Sequence, residues 1–381
     1  MNELPIVEVG RVAHGGHCVA RLDGRVVFVR HTLPGETVRI SITERSKSFW
    51  RADAVEVIEA SPDRVVPPCK YAGVCGGCDF QHVSVAGQAR LRTSVVREQL
   101  QRLAKIDWDG EVEVVDPPVD WRTRVQWAIA DNGLPGLRKH RSHEVVVIDD
   151  CVIAHPDLPT VQDRLWDAES VEARVTSTGQ QVVSADRALV SGPEVATEEV
   201  NGERFAVGSR GFWQVHPHAA RVLVDAVTAG ADVRPGDRVL DLYGGVGLFA
   251  KFLTGEGREV VTVEGNREAS RHAARNLRGV GSAVHGDVAK LLARGVLGAS
   301  ADVVVLDPPR TGAKGAVPAI AALGARRIVY VACDPAALAR DLGTFAEHGY
   351  ALESLRGFAL FPMTHHVECV ALLTKIGSDL R

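Results

Sequence analysis

The sequence predicts a multidomain protein of three units in series. They are a small all-β barrel of the OB kind over residues 1–60, a central α+β unit over 61–210, and a Rossmann-like α/β domain over 211–381. Three observations predict this. The run Arg238 to Ala250, RVLDLYGGVGLFA, reads as a short buried strand, a glycine turn and a helix start. The first sixty residues hold short β-rich runs with alternating polarity, separated by turn residues. Between these units, PPCKYAGVCGGCDFQH (Pro67 to His82) sets three cysteines in a Gly- and Pro-rich loop.

With 381 residues, 45% hydrophobic and 24% charged, the chain has the composition of an ordinary soluble protein with a sizeable core. The start, MNELPIVEVG, carries an early acid and no long apolar run, which argues against a signal peptide and makes the cytoplasm the expected location. No stretch has the apolar length of a membrane span. The net charge of −4 gives no global basic field, so any RNA contact must come from local patches. Seven cysteines without a secretory signal favour metal or catalytic roles over a disulfide framework.

In the first unit, GRVVFVR (Gly24 to Arg30) is β-rich, Pro34-Gly35 fits a type II turn, and Val38, Ile40 and Ile42 alternate with polar residues. Phe49 and Trp50 sit among Arg45, Lys47 and Arg51, cations for phosphate beside rings for base stacking, which suits single-stranded RNA. The bland reading is a solvated face over two core aromatics.

In the second unit Cys69, Cys75 and Cys78 stand at C-x5-C-x2-C spacing. A four-thiolate site needs another ligand, and Cys151 is the remaining cysteine of the region. Zinc and an iron-sulfur cluster both accept four thiolates, and spacing does not separate them. Ser84 to Lys105 repeats apolar residues at helical intervals, a scaffold helix with one core-facing side. Trp121 to His143 holds Arg122, Arg124, Arg138, Lys139 and Arg141 against one acid, a candidate nucleic-acid-backbone surface. Residues 156–210 carry little signal.

From Gly211 the texture changes. GFWQVHP places Gln214 among Phe212, Trp213 and Val215, where a polar side chain needs a partner. The glycine turn follows Tyr243, and its G-G-x-G spacing argues against NAD. VVTVEGN ends in Glu264, an acid placed for ribose hydroxyls; HGDV, VVVLDPPR and IVYVACDP then bring Asp307 and Cys333 to further strand ends. Such ends converge on one crevice in an open α/β sheet. Glu368 lies between Val367 and Cys369 in an apolar run, where a carboxylate is seldom tolerated unless paired or working. Cys18 and Cys369 read as core thiols.

Together these residues resemble the RNA uracil-5-methyltransferase family in its form with an N-terminal TRAM domain and an iron-sulfur cluster. FVRHTLPGE looks like TRAM, PPCKYAGVCGGCDFQH resembles the cluster loop, and GFWQVHP, DLYGGVGLF, LDPPR, YVACDPAALARD and HHVECV are similar to the methyltransferase motifs in order. The resemblance implies a class I methyltransferase fold. It also implies that Gln214, Tyr243, Glu264 and Asp307 hold S-adenosylmethionine, that Cys333 is the nucleophile and Glu368 the base, and that Cys69, Cys75, Cys78 and Cys151 bind a 4Fe-4S cluster, with zinc the alternative occupant. The partner it implies is RNA, ribosomal RNA of the large subunit in preference to transfer RNA, acted on by a monomer. Chemistry agrees: carbon 5 of uracil is a poor nucleophile until a thiolate adds at carbon 6. Structural alternatives are that Asp307 only caps its Pro-Pro turn and that Tyr243 is core.

Two positions depart from the family pattern. Asp334 stands where asparagine is usual, and a carboxylate there should raise the Cys333 pKa unless it points away. Gly245 stands where cysteine is common, with no expected consequence. Competing functions are methylation of cytosine carbon 5 or of an exocyclic nitrogen, which needs no thiolate, and a zinc-stapled RNA-binding protein without catalysis.

Overall fold

The computed structural model describes residues 4–377; the first three residues of the MNELPIVEVG stretch lie outside that range. Five strands, β1 (Ile6–Val12), β2 (Cys18–Leu22), β3 (Arg25–Arg30), β4 (Thr37–Arg45) and β5 (Trp50–Glu59), close a barrel in the order β1-β2-β3-β5-β4. The alternation read from sequence fills its interior with Val7, Val9, Val27, Val29, Val38 and Ile40. This closed five-strand order is that of an OB barrel.

Helix α1 (Val85–Ala104) begins on Ser84, whose hydroxyl accepts from the Gly87 amide. Its residues Leu91 and Val95 join the barrel core, whereas Val96 and Leu100 join the core of the C-terminal sheet. It is therefore buried on two sides rather than one. Strand β6 (Val112–Val114) leaves it to pair with the edge of that same sheet.

A six-stranded antiparallel sheet, ordered β12-β11-β10-β7-β8-β9, forms the centre. It comprises β7 (Arg124–Ile129), β8 (Pro135–Arg138), β9 (Val145–Val147), β10 (Ser170–Val175), β11 (Gln181–Ala185) and β12 (Ala188–Ser191). The hairpin β13 (Val195–Val200) and β14 (Glu203–Gly208) instead puts Val200, Phe205 and Val207 into the core of the C-terminal sheet.

That sheet has eight strands in the order β17-β16-β15-β18-β19-β21-β20-β6. Its chain order is α2 (Ala219–Ala231), β15 (Arg238–Leu242), α3 (Leu248–Leu253), β16 (Glu259–Glu264), α4 (Arg267–Asn276), β17 (Ser282–His285), α5 (Val288–Ala293), β18 (Val303–Leu306), α6 (Val317–Ala322), β19 (Arg327–Ala332), α7 (Pro335–Glu347), β20 (Tyr350–Ala359) and β21 (Glu368–Lys375). Strands β15 to β19 are mutually parallel and β21 runs antiparallel between β19 and β20. Helices cover both faces, which is why β18 and β19 read as continuous apolar runs. The strand order reverses at β15, between β16 and β18, and a crevice opens outside the carboxyl ends of strands at such a point. Among the described residues no helix is long and apolar enough to cross a membrane.

Candidate active site and cysteine cavity

A cavity of about 950 Å³ lies at these carboxyl ends, and Gln214, Tyr243, Glu264, Asp307, Cys333 and Glu368 all line it. The glycine turn builds its floor. Tyr243, Gly245 and Gly247 take left-handed backbone angles, φ 61°, 57° and 85°. A Cβ at Gly244 would run into Thr262 Oγ1 and the Asp241 carboxylate. Gly245 N–H donates to Glu264 Oε2 at 2.9 Å and Asn266 N–H to Oε1 at 2.6 Å, fixing that carboxylate at the end of β16. Beneath the turn Asp241 is fully buried and accepts from Thr262 Oγ1 and the Ala250 amide through one oxygen, while Oδ1 has no protein partner.

Asp307 ends β18 and is pushed up to about 7 by burial and by the nearby Asp241 and Glu264. Glu368 opens β21, 5% exposed, and burial and then Asp307 raise it well above the usual carboxylate range. Cys333 follows β19, half-buried, its thiol pushed up to about 12 by burial, then Glu368, Asp307 and Asp334. Arg310, beyond the Pro308-Pro309 turn, lines the cavity and favours the ionised forms of both Cys333 and Glu368.

Asp334 does not line the cavity. Its carboxylate caps α7, accepting from Ala337 N–H at 2.7 Å, and its other oxygen lies 3.3 Å from His14 Nε2 of the barrel. Burial alone would raise its pKa, yet the His14 contact and the helix amides hold it below the ordinary value. It is turned away from the crevice, as the sequence required of a carboxylate beside a working thiol.

The segment carrying Glu368 is held by two parts of the central unit, α1 and the cysteine loop. Arg92 of α1 is buried, 2% exposed, and it donates to the carbonyls of Phe361, Thr364 and His366. Met363 N–H donates to Gln88 Oε1 at 2.9 Å, and the Asp79 and Phe80 amides donate to the Met363 carbonyl. Asp79 also accepts from the His365 amide and lies 2.6 Å from its Nδ1. The helix treated in the sequence as scaffold thus positions the loop before Glu368.

Sequence reasoning assigned no site role to Arg187, Arg210, Phe361 and His366, all on the cavity wall. Arg310 and His366 stood inside quoted motifs and could have been read as crevice groups. Arg187 and Arg210 come from the 156–210 stretch, where no local pattern signals them.

A second cavity, about 400 Å³, lies where barrel, loop and central sheet meet, and Cys69, Cys75, Cys78 and Cys151 line it together. Cys75 Sγ accepts from Gly77 N–H at 3.4 Å and Cys78 Sγ from Gln81 Nε2 at 3.3 Å. Burial pushes the thiols of Cys75 and Cys151 up, and that of Cys78 to about 12; the buried Arg122 faces Cys78 and Cys151. Among the described residues no group of three or more His, Cys, Asp or Glu is arranged to hold a metal ion. Cys18 and Cys369 are buried.

The basic stretch of 122–141 is largely engaged: Arg124 pairs with Glu172 at 2.8 Å, Lys139 with Glu144, and Arg141 with Glu44 at 3.7 Å. On the barrel, Arg45 and Arg25 lie over the Trp50 ring at 4.5 and 5.3 Å.

Residues 6–55 match the TRAM domain family, and residues 297–376 match the family described as tRNA (Uracil-5-)-methyltransferase. A TRAM barrel joined to this sheet and crevice defines the class, an RNA methyltransferase. The chain is 45% identical to an uncharacterized RNA methyltransferase of Streptomyces avermitilis, covering all of both chains. It is 31% identical to the 23S rRNA (uracil(1939)-C(5))-methyltransferase RlmD of Shewanella amazonensis, over 97% of this chain and 96% of that one. It therefore belongs to the RNA (uracil-5-)-methyltransferase family. The crystal structure of Pyrococcus abyssi tRNA (uracil-54, C5)-methyltransferase in complex with S-adenosyl-L-homocysteine superposes with a TM-score of 0.73 at 23% identity, covering 96% of this chain and 99% of that one, which establishes a shared fold.

Proposed function

We propose that this enzyme methylates carbon 5 of a specific uridine in RNA through a transient bond from Cys333 to carbon 6. The observation that carries this reading is the meeting of Cys333 and Glu368, from separate strand ends, on one cavity with Gln214, Tyr243, Glu264 and Asp307. The cavity volume, the glycine turn and the fixed Glu264 fit S-adenosylmethionine, which supplies the methyl group. Gln214, Tyr243, Glu264 and Asp307 are the residues that would hold it.

In the ligand-free crevice burial keeps Cys333 and Glu368 protonated. Arg310 opposes this, and filling the cavity with a cationic donor opposes it further. Cys333 then adds as thiolate at carbon 6, and the electron pair moves to the carbon 5 and O4 side of the ring as an enolate. Carbon 5 forms its bond to the methyl group as the methyl–sulfur bond of the donor would break, the electron pair staying on sulfur and leaving a neutral thioether. Glu368 removes the carbon 5 proton, the carbon 6 bond to sulfur breaks, and the thiolate is restored while the proton passes to water.

The barrel, with Trp50 between Arg25 and Arg45, is the part suited to hold the RNA strand. A 4Fe-4S cluster is the occupant proposed for the four-cysteine cavity, with zinc the alternative; its support is that Cys69, Cys75, Cys78 and Cys151 all line that one cavity. The favoured target is large-subunit ribosomal RNA, supported by the 31% identity to the Shewanella enzyme along nearly the whole chain. Mass mapping of 5-methyluridine in a deletion strain tests this: loss from the large-subunit RNA is expected, and loss from transfer RNA alone would overturn the choice of target.

A further inference from the structure

The connection between β1 and β2, residues 13–17 (AHGGH), leaves the barrel and touches the C-terminal domain at two points. At one, His14 Nε2 lies 3.3 Å from Asp334 Oδ2, one residue beyond Cys333. At the other, Gly16 adopts φ +81°, and a Cβ there would sit 2.9 Å from His365 Cβ and 3.3 Å from Phe80, against the segment that leads to Glu368. The loop is internally tied, with Ala13 N–H donating to the His17 carbonyl at 2.7 Å and Gly16 N–H to the Ala13 carbonyl at 3.1 Å.

Asp334 is a problem for a nucleophile. A carboxylate next in sequence to a thiol opposes formation of the thiolate. Here each oxygen of that carboxylate is engaged, Oδ1 by Ala337 N–H on α7 and Oδ2 by His14. The helix end takes part of the negative charge, and the imidazole holds the second oxygen on the barrel side, away from the crevice. We propose that His14 of the barrel is a positioning residue for Cys333, holding the Asp334 carboxylate on α7 and turned from the sulfur so that the neighbouring thiol ionises more readily. His14 acts through Asp334 and touches neither substrate. The barrel thereby does more than hold RNA: one of its loops completes the surroundings of the reacting sulfur.

This rests on the reading of Cys333 as the nucleophile, yet it can be tested on the thiol alone. The full chain, without RNA, is treated with iodoacetamide across a pH series, and modification of the Cys333 peptide is followed by mass spectrometry. Four proteins are compared: unaltered, His14→Ala, Asp334→Asn, and both together. The groups facing Cys333 are Glu368, Asp307, Arg310 and Asp334; all but Asp334 are common to the four proteins. His14→Ala should slow modification by about two- to fivefold and move its pH profile upward, the size of a half-exposed ion pair. The same change in the Asp334→Asn background should have no effect on rate or profile. An equal slowing in both backgrounds, or none in either, overturns the proposal. Should Cys333 fail to be the nucleophile, the coupling between His14 and Asp334 would persist while covalent trapping of RNA would not, so the two failures are distinguishable.

Discussion

The catalytic crevice and the cysteine cavity are assembled by different routes. In the crevice, Tyr243, Asp307 and Cys333 each follow a parallel strand directly, Glu264 ends one, and Glu368 opens an antiparallel one, so a single sheet sets their mutual placement. In the cavity, Cys69, Cys75 and Cys78 come from one loop and Cys151 from the turn after β9, with barrel residues closing the space. A sheet holds its strand ends in place whether or not a ligand is bound. A loop cavity lacks such support, and filling it contributes folding free energy. The two are joined at Asp79, beside Cys78, whose carboxylate and backbone grip the segment before Glu368.

This contrast makes three predictions, in decreasing order of effect on methyl transfer. Glu368→Gln should lower turnover by roughly 10²–10⁴-fold with melting temperature and visible absorbance unchanged, and should let a Cys333-linked RNA adduct accumulate. A fall in absorbance would mean that crevice and cavity are not separable. Cys78→Ser should remove a visible absorbance band and lower stability, yet reduce turnover only about tenfold, through the loosened grip of Asp79 on the 363–365 segment. Zinc content without absorbance in the unaltered protein would contradict the cluster assignment. The third prediction concerns pH. Burial raises Asp241 and Asp307 to about 7, above their unfolded values, so their contribution to stability is full below about pH 4 and is lost as pH rises through about 7. The melting temperature of the ligand-free protein should therefore fall with rising pH over that window more steeply than that of Asp307→Asn, by about 2–4 °C. Parallel curves would show that Asp307 is already ionised.

The same contrast explains what was legible in the sequence. Strand periodicity and glycine chemistry are local, so the barrel strands, the turn after Tyr243 and the strand-end acids could be read from short windows. The double burial of α1 could not, because Leu91 and Leu100 belong to one amphipathic pattern yet pack in different cores. Nor could the strap from Arg92 to the Phe361, Thr364 and His366 carbonyls, which spans about 270 residues and satisfies backbone groups that carry no sequence signal. The basic run of 121–143 read as a candidate nucleic-acid-backbone surface, and the ion pairs of Arg124 with Glu172 and of Arg141 with Glu44 depend on strands distant in the chain. Asp334 was legible as a departure, but the partner that turns it aside, His14, lies 320 residues away on another unit.

The most direct measurement is covalent trapping. RNA containing 5-fluorouridine carries fluorine where the departing carbon 5 proton would be, so the reaction should halt after methyl transfer with the ring still bonded to sulfur. Incubated with S-adenosylmethionine, the unaltered protein should give a denaturant-resistant RNA adduct on the Cys333 peptide, and Cys333→Ala should give none. No adduct from the unaltered protein, or equal trapping by the alanine variant, would contradict the account.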